Sequence, residues 1–316
     1  MARASASPGN QRRSAGARPN REQRLAWLRL IRSENVGPAT FRMLVNQFGG
    51  AGAAIDALPA LSRRGGSRHA IRVCPAAEAE AELQAAERLG AHLATIGEPG
   101  YPPALAQVDA PPPLLYVKGN LDLAAGPIVA MIGARNGSAI GQKFTRQLAT
   151  ELGLEGFVIA SGLARGIDTA AHRAALERGT IAVLAGGIDV AYPPENEELQ
   201  HTIGERGLLL TERPPGFSPR SKDFPRRNRL ISGIALGVVV MEAAERSGSL
   251  ITARFAGEQG REVFAVPGSP LDPARRRRQQ SAQAGRRTGH LGARHRRRAG
   301  ADPRARARAR RPRLIR

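Results

Sequence analysis

The sequence has a single cysteine, Cys74, and only 4% aromatic residues in a chain of 316. One cysteine excludes an intrachain disulfide and a cysteine-rich zinc site. No apolar run approaches the roughly 20 residues that a membrane-spanning helix requires, and the amino terminus lacks the apolar centre of a signal peptide. These absences predict a cytoplasmic protein that crosses no membrane and holds no metal.

Acidic residues are scarce at both termini, and this explains the formal net charge of +21. Residues 1–20 contain four arginines and no acid, and residues 274–316 contain 17 arginines against one aspartate. The segment between them is therefore nearly neutral. We expect a disordered basic leader over 1–20 and a disordered Arg-rich tail over 274–316. DNA binding by the folded part must rest on local clusters of charge.

Residues 21–97 show the apolar spacing of a helical domain, in which residues such as Leu25 and Leu28 recur every three or four positions. A turn at Asn35–Pro38 separates two of the predicted helices. Such a hairpin can set backbone amides against DNA phosphates, but two helices also pack this way without a ligand. Residues 98–127 are predicted to form a Pro-rich connector and the entry to the sheet domain, and the connector is expected to be stiff and extended from Tyr101 to Pro113.

Residues 128–273 alternate between short apolar runs and helical stretches. The central unit, Phe157–Pro194, contains a strand, a Gly-rich turn, a helix and a second strand. Repetition of this unit predicts an α/β fold with a doubly wound parallel sheet. Because such sheets bind ligands at the carboxyl ends of their strands, the function should be sought in the Gly-rich turns.

Three Gly-rich turns follow predicted strands, at Gly133–Arg135, Ser161–Gly166 and Ala185–Gly187. Free amides and helix N-termini suit phosphate, and an arginine adds a bidentate donor to each of the first two turns. Together they predict a phosphate-tracking groove, although each turn alone is explained by tight strand-to-helix geometry. The candidate DNA-binding residues of these turns are Gly133, Arg135, Ser161, Gly162, Arg165 and Gly166. The motifs GxGxxG and GxxxxGK[ST] are absent, which argues against dinucleotide and nucleoside-triphosphate sites.

The segment Ser221–Ile231 places four cations, an amide and one aromatic ring at the entry to a predicted helix. Cations follow the backbone of a single strand while a ring stacks on a base. The alternative is a solvated basic face with Phe224 in the core. We favour DNA binding because the segment accompanies the Gly-rich strand ends. Its candidate DNA-binding residues are Lys222, Phe224, Arg227, Asn228 and Arg229.

Five residues are predicted to support the groove structurally: Asp168, Gly186, Gly187, Glu242 and Ser249. We expect Asp168 and Ser249 to cap helices and Glu242 to hold an arginine of the basic segment. Asp168, His172 and Asp189 are the nearby residues that resemble an acid–base set. Because a helix cap and a helix-face position account for the first two, we predict no catalytic role.

Taken together, these motifs resemble the DNA-processing protein family, DprA or Smf. The matching stretches are GAR at Gly133, SGLARGID at Ser161, VLAGGIDVAYPPEN at Val183, FPRRNRLI at Phe224, EAAERSGSLITARFA at Glu242 and REVFAVPG at Arg261. The resemblance covers roughly residues 25–272 and is far more specific than any one motif.

The resemblance implies an extended Rossmann-like domain preceded by a small helical domain of the SAM or helix-hairpin-helix type. It implies binding and protection of single-stranded DNA and loading of the RecA recombinase, chiefly in natural transformation, by a homodimer without catalytic activity or cofactor. The implied DNA contacts are Arg135, the turn from Ser161 to Gly166, Lys222, Phe224, Arg227 and Asn228.

Two other functions remain open at this stage. One is a nucleotide-processing hydrolase of the lysine-decarboxylase-like Rossmann fold, whose PGGxGTxxE signature is matched only in its glycines by AGGIDVAYPPE. The other is an RNA-binding accessory protein whose affinity resides in the basic termini.

The resemblance stops after Pro273, where the family continues with a Gly-x-Asn-x-Leu-Ile segment. Back-translation of Arg277–Gly289, shifted forward by one base, permits that segment, with Gln279 read as Asn or Ser and Gln283 as Lys or Arg. We therefore hypothesise that the tail is the product of a frameshift in a GC-rich gene. Resequencing that finds one intact frame through the tail would exclude this hypothesis.

Overall fold

The computed structural model describes residues 19–64, 69–243 and 247–266. Three predicted segments lie outside the described residues. They are the leader except for its last two residues, the Arg-rich tail, and residues 267–273 at the end of the predicted sheet domain. The predicted frameshift concerns that same tail and is therefore not addressed by the structure.

Among the described residues, four helices form the amino-terminal part and five more accompany the sheet. Their bounds are α1 Arg21–Arg32, α2 Pro38–Phe48, α3 Ala51–Arg64, α4 Ala76–Arg88, α5 Ala139–Leu154, α6 Ile167–Ala175, α7 Glu197–Arg206, α8 Asp223–Gly233 and α9 Gly248–Glu258. Asn20 begins α1 with a capping box, because its side chain accepts from the Gln23 amide while the Gln23 side chain accepts from the Asn20 amide.

Within the described part of the chain, eight strands form one sheet in the order β1-β2-β6-β5-β4-β3-β7-β8. Their bounds are β1 His92–Thr95, β2 Leu114–Gly119, β3 Ile128–Gly133, β4 Val158–Ser161, β5 Thr180–Val183, β6 Leu208–Thr211, β7 Gly237–Glu242 and β8 Glu262–Ala265. In the sheet, neighbouring strands pair in parallel from β6 through β5, β4, β3 and β7 to β8. β2 pairs antiparallel with both of its neighbours, β1 and β6. The prediction of a doubly wound α/β sheet after a helical domain is confirmed.

The segment predicted as connector and entry to the sheet domain contains a strand of the sheet. Leu114–Gly119 forms β2, with Leu210 opposite Val117, and β1 extends the sheet with residues that had been assigned to the helical domain. Hydrophobic burial stabilises β2, because the side chains of Leu114–Val117 are all buried.

The core lies on both faces of the sheet. One face packs against α8 and α9 through Leu230, Ile231 and Ala253, and the other packs against α5 and α6 through residues such as Leu152 and Ala171. The central strands β3 to β6 are buried and consist mainly of apolar residues, as is typical of parallel sheets with both faces covered.

A separate small core holds α1, α2 and α3 together. Trp27 and Phe41 meet edge to face with ring centroids 5.6 Å apart beside the buried Leu30 and Leu44. Arg32 links this part to the sheet, because its guanidinium pairs with Glu82 at 2.8 Å and donates to the Glu212 carbonyl at 3.1 Å. No helix in the described ranges combines the length and apolar character needed to cross a bilayer.

We predict that Ile159→Ala in β4 lowers the free energy of unfolding by about 2–5 kcal/mol, because the side chain is fully buried and its removal leaves a cavity. Ile140→Ala is the matched control: the Ile140 side chain in α5 is 77% exposed, so its change should stay within about 0.5 kcal/mol. Urea denaturation measures both. An equal effect of the two substitutions would contradict the assigned core.

Candidate nucleic-acid interface

The main groove lies where the chain reverses its direction across the sheet. From β3 the chain proceeds through β4, β5 and β6 on one side, and then crosses to β7 on the other side of β3. This arrangement opens a crevice at the carboxyl ends of β3 and β7, where doubly wound sheets bind ligands. The crevice is a cavity of about 600 Å³ between Gly133–Asn136, the amino-terminal half of α8 and Ser247–Thr252.

A second cavity of about 330 Å³ continues the groove toward the turn after β4. The residues that line both cavities are Arg135, Asn136, Ala164, Tyr192, Phe224 and Arg227. The structure therefore brings the first two predicted turns and the basic segment to one continuous groove.

The turn after β4 is held from within by Asp168. One carboxylate oxygen accepts from the amides of Gly162 at 3.1 Å and Ala164 at 3.2 Å. The prediction of Asp168 as the helix cap is wrong, because Gly166 occupies the N-cap position of α6 and Asp168 lies in its first turn. The amides of Gly162 and Ala164 are thus already bonded, which corrects the expectation that they are free for phosphate.

Gly166 brings the turns after β3 and β4 into direct contact. Its φ of +74° lies in a region that residues with side chains rarely adopt, and a Cβ there would lie 2.4 Å from the Arg135 carbonyl oxygen. Glycine at this position is therefore required for the turn carrying Arg165 to touch the turn carrying Arg135.

Arg227 lies buried beneath the groove, with only 8% of its surface exposed. Its guanidinium donates to the Gly162 carbonyl at 2.7 Å and also to the Val183 carbonyl, so it joins the ends of β4 and β5. Burial lowers the pKa of Arg227 to about 10, and the nearby Asp168 partly opposes this change. Burial likewise raises the pKa of Asp168. Arg227 is therefore part of the groove wall rather than an exposed cation.

Three other predicted cations are exposed at or beside the groove. Arg135 is exposed on the first turn, and Lys222 is exposed at the start of α8. Arg165 has 58% of its side chain exposed and pairs with Glu195 at 2.5 Å. These guanidinium and ammonium groups are accessible to an anionic ligand.

Phe224 belongs to a pair of aromatic rings that sequence analysis only half identified. Its ring centroid lies 5.0 Å from that of Tyr192, and the Arg135 guanidinium carbon lies 5.7 Å from the Phe224 centroid. Tyr192 is 45% exposed. The sequence did not point to Tyr192, because the residues around it form no cluster of charge. The pattern that could have indicated it is a tyrosine followed by two prolines, shortly after a Gly-rich turn.

Arg229, which was predicted to bind DNA, lines neither cavity, and its guanidinium pairs with Glu212. A DNA contact of Arg229 stays a prediction. Asn228 does line the larger cavity, and its side-chain amide donates to the Gly248 carbonyl at 3.1 Å.

Ser161 is buried at the end of β4, where its hydroxyl donates to the Met131 carbonyl at 2.6 Å. The Ser161 hydroxyl therefore joins two strands instead of facing the groove. Gly133, at the end of β3, lines the larger cavity, and Gly162 lines the smaller one.

The predicted roles of Glu242 and Ser249 are wrong, although both residues are near the groove. Glu242 accepts from the Ser138 amide at 2.9 Å and the Ser138 hydroxyl at 3.3 Å, and so fixes the start of α5 rather than an arginine. Ser247 is the N-cap residue of α9, and the Ser249 hydroxyl contacts that of Ser247 at 2.6 Å.

Gly186 and Gly187 follow β5 and hold the loop before α8. The Gly186 carbonyl accepts from the Thr211 hydroxyl at 2.8 Å, and the Gly187 amide donates to the Phe217 carbonyl at 2.9 Å. Asp189 accepts from the Gly216 amide at 2.8 Å. All three residues therefore position the loop that leads to Lys222 and Phe224.

The three residues that resembled an acid–base set are not arranged as one. Asp168 is bonded to backbone amides, and Asp189 holds a loop. His172 is fully buried, where its Nδ1 lies 2.7 Å from the Thr180 hydroxyl. Burial lowers the pKa of His172 to about 3, with a smaller contribution from Arg227. His172 is therefore neutral at the pH of the cell.

The fold and the groove first define a class: a doubly wound α/β protein with cations and aromatic rings at its switch point, typical of proteins that bind nucleotides or nucleic acids. Comparison with family models then identifies the family. Residues 92–288 match the DNA recombination-mediator protein A family, and residues 21–85 match the DprA-like N-terminal HHH domain. The chain therefore belongs to the DNA recombination-mediator protein A family.

Curated relatives agree with this assignment. The DNA processing protein DprA of Streptococcus pneumoniae is 52% identical over 174 residues, which cover 54% of this chain and 61% of the relative. The Bacillus subtilis protein of the same name is 44% identical over 194 residues, covering 60% and 65% of the two chains. The chain thus matches less than two thirds of the length of these relatives.

Two solved structures are similar to the fold. The X-ray structure of DprA from Streptococcus pneumoniae has a TM-score of 0.62 at 35% identity and covers 81% of this chain and 95% of that one. DNA processing protein A from Helicobacter pylori, described for its single-stranded DNA binding mode, has a TM-score of 0.57 at 30% identity, with 62% and 90% covered.

The resemblance to the DprA family is confirmed. One boundary needs correction. The family match reaches residue 288, beyond Pro273, where the resemblance was expected to stop.

We predict a stability change below neutral pH from His172. Its folded-state pKa of about 3 lies below the unfolded value of 6.5, so the unfolded chain takes up the proton first as the pH falls. The contribution of His172 to stability is complete above pH 6.5 and decreases by about 1.4 kcal/mol per pH unit toward pH 3.

His172→Gln removes this proton linkage. The difference in free energy of unfolding between pH 7 and pH 5 should be about 2 kcal/mol smaller in the variant than in the parent protein. Urea denaturation at the two pH values measures it. Identical pH dependence of the two proteins would contradict a buried neutral His172.

Proposed function

We propose that the protein binds single-stranded DNA in the groove, protects it, and helps to load the RecA recombinase onto it during natural transformation or recombination. The contacts would be made by Arg135, Arg165, Lys222 and Phe224, with Tyr192 as an additional ring. The backbones of Gly133, Gly162 and Gly166 would form the floor, and Arg227 and Asn228 the wall.

The observation that carries this proposal is the pair of rings beside accessible cations. A single strand offers base faces and phosphates at once, so a base can stack on Phe224 or Tyr192 while Arg135 neutralises an adjacent phosphate. In a duplex the base faces are already stacked on one another, and the rings would reach only the backbone. The groove chemistry therefore favours single strands over duplexes.

The family assignment supports the same function. The Helicobacter pylori protein is described by its single-stranded DNA binding mode, and the family model is that of a recombination mediator. Binding of a strand that a recombinase must later occupy is the step that such a mediator contributes. The chain matches only part of the length of its relatives. We therefore include loading of RecA, the homodimer and a cytoplasmic location in this proposal.

The test is fluorescence anisotropy of the full chain with single-stranded and duplex oligonucleotides over a salt series. Arg135→Ala should weaken single-strand binding and make the slope of log K against log salt shallower by about 0.7, because one phosphate contact is lost. Phe224→Ala should cost about 1–3 kcal/mol with an unchanged slope, because only stacking is lost. Phe224→Tyr should retain most of the affinity.

Arg173→Ala is the matched control, since Arg173 is an exposed arginine on α6 that lies outside both cavities. The 17 arginines of residues 274–316 bind any polyanion. They are unchanged in every variant, so a difference in affinity between variants does not come from them. Equal affinity of the parent, Arg135→Ala and Phe224→Ala proteins would show that the groove is not the DNA site.

Recombinase loading and pairing of chains have their own test. We expect the protein to stimulate the ATPase of RecA on single-stranded DNA coated with single-strand-binding protein, and Phe224→Ala to reduce this stimulation in proportion to its loss of DNA affinity. Light scattering should give twice the mass of one chain. No stimulation by a protein that binds the strand tightly would remove loading from the proposal, and a single-chain mass would remove the homodimer.

A further inference from the structure

Arg227 is a cation in the proposed DNA groove, and its Nη1 and Nε are bonded to oxygens of the protein. It donates to the carbonyls of Gly162 and Val183, and its Nε contacts the Asn228 side-chain oxygen at 3.2 Å. With 8% exposure, it has little surface left for a phosphate. Both bonds come from the same terminal nitrogen, Nη1, so one buried atom holds the two strand ends together.

The Gly162 carbonyl belongs to the turn that also carries Arg165. Asp168 holds the amides of Gly162 and Ala164 from the opposite side. Asn196 donates to the carbonyl of Leu163 at 2.9 Å. The turn is therefore held at three consecutive residues, and two of the side chains that hold it, those of Asn196 and Arg227, come from other parts of the chain.

The same side chain also fixes α8. Phe224 precedes Arg227 by three residues, about one helical turn, so the two lie on the same side of the helix. The turn held by Arg227 contacts the Arg135 backbone through Gly166. One side chain thus connects the three elements that carry Arg135, Arg165 and Phe224.

We propose that Arg227 is a positioning residue: it holds the turn after β4 and the start of α8 in the arrangement that admits a single strand, and it neutralises no phosphate itself. This inference rests on the proposed function of the groove. Preorganisation of this kind raises affinity because the ordering of the contact residues is completed before the ligand arrives.

Gly162 offers a way to disturb Arg227 without changing any charge. A Cβ at Gly162 would lie 2.8 Å from both terminal nitrogens of the Arg227 guanidinium, so Gly162→Ala must displace that group. Gly257→Ala in α9 is the matched control, because a Cβ there meets nothing within 4 Å. Both variants keep every cation of the groove.

The experiment measures single-strand affinity over a salt series for the full chain with Gly162→Ala, Arg227→Lys, Arg227→Met and the double variant Gly162→Ala/Arg227→Met. We expect each single variant to bind roughly tenfold more weakly with an unchanged salt slope. Lysine should not rescue, because the lysine side chain ends one bond short of the position of Nη1, the nitrogen that bonds to both carbonyls. The double variant should be no weaker than Arg227→Met, since both changes remove the same bridge. Gly257→Ala should match the parent protein.

Two results would overturn the proposal. Near-parental affinity of Arg227→Lys, together with a slope shallower by about 0.7 for Arg227→Met, would make Arg227 a phosphate contact. Parental affinity of Gly162→Ala would show that the position of the guanidinium does not matter. If Arg227→Met fails to fold, Gly162→Ala and Arg227→Lys still decide between these outcomes. Failure of the function itself is separate: it appears as parental affinity of Arg135→Ala and Phe224→Ala.

Discussion

The reversal of chain direction at β3 determines where every other part of the groove lies. Because β4 and β7 pair with β3 on opposite sides, the loops after β3 and β7 run in opposite directions and a space remains between them. Parallel pairing then brings the end of β4 to the same edge, together with the turn that carries Arg165. Helix α8 crosses this edge and contributes Phe224. The groove therefore follows from topology, and its chemistry from a few side chains placed at strand ends.

Much of the fold was predictable because buried parallel strands are apolar throughout and Gly-rich turns mark their ends. The strand at Thr180 and the helix after Ser138 follow the local pattern closely. Residues 114–119 were not predicted as a strand, because proline-rich surroundings favour an extended connector and the compensating burial against β6 is a long-range effect. Local sequence reports conformational preference, whereas pairing between distant strands depends on the complete sheet.

The site was predictable at the level of segments and less so at the level of side chains. Exposure separates Arg135 from Arg227, and an ion pair with Glu212 separates Arg229 from Asn228, yet all four are polar residues in motifs of similar appearance. Tyr192 joins Phe224 only because the chain folds the loop after β5 against α8. Tertiary packing decides whether a polar side chain faces solvent or bonds to a backbone group that has no backbone partner.

The antiparallel pair β1 and β2 has a mechanical consequence. β1 follows α4 directly, and β2 pairs with β6 in the same sheet that carries the groove. The amino-terminal helices are thus joined to the sheet by a hydrogen-bonded ladder in addition to the polypeptide. A load applied to α4 therefore reaches the sheet through β1, and a displacement of α4 strains the hydrogen bonds between β1 and β2.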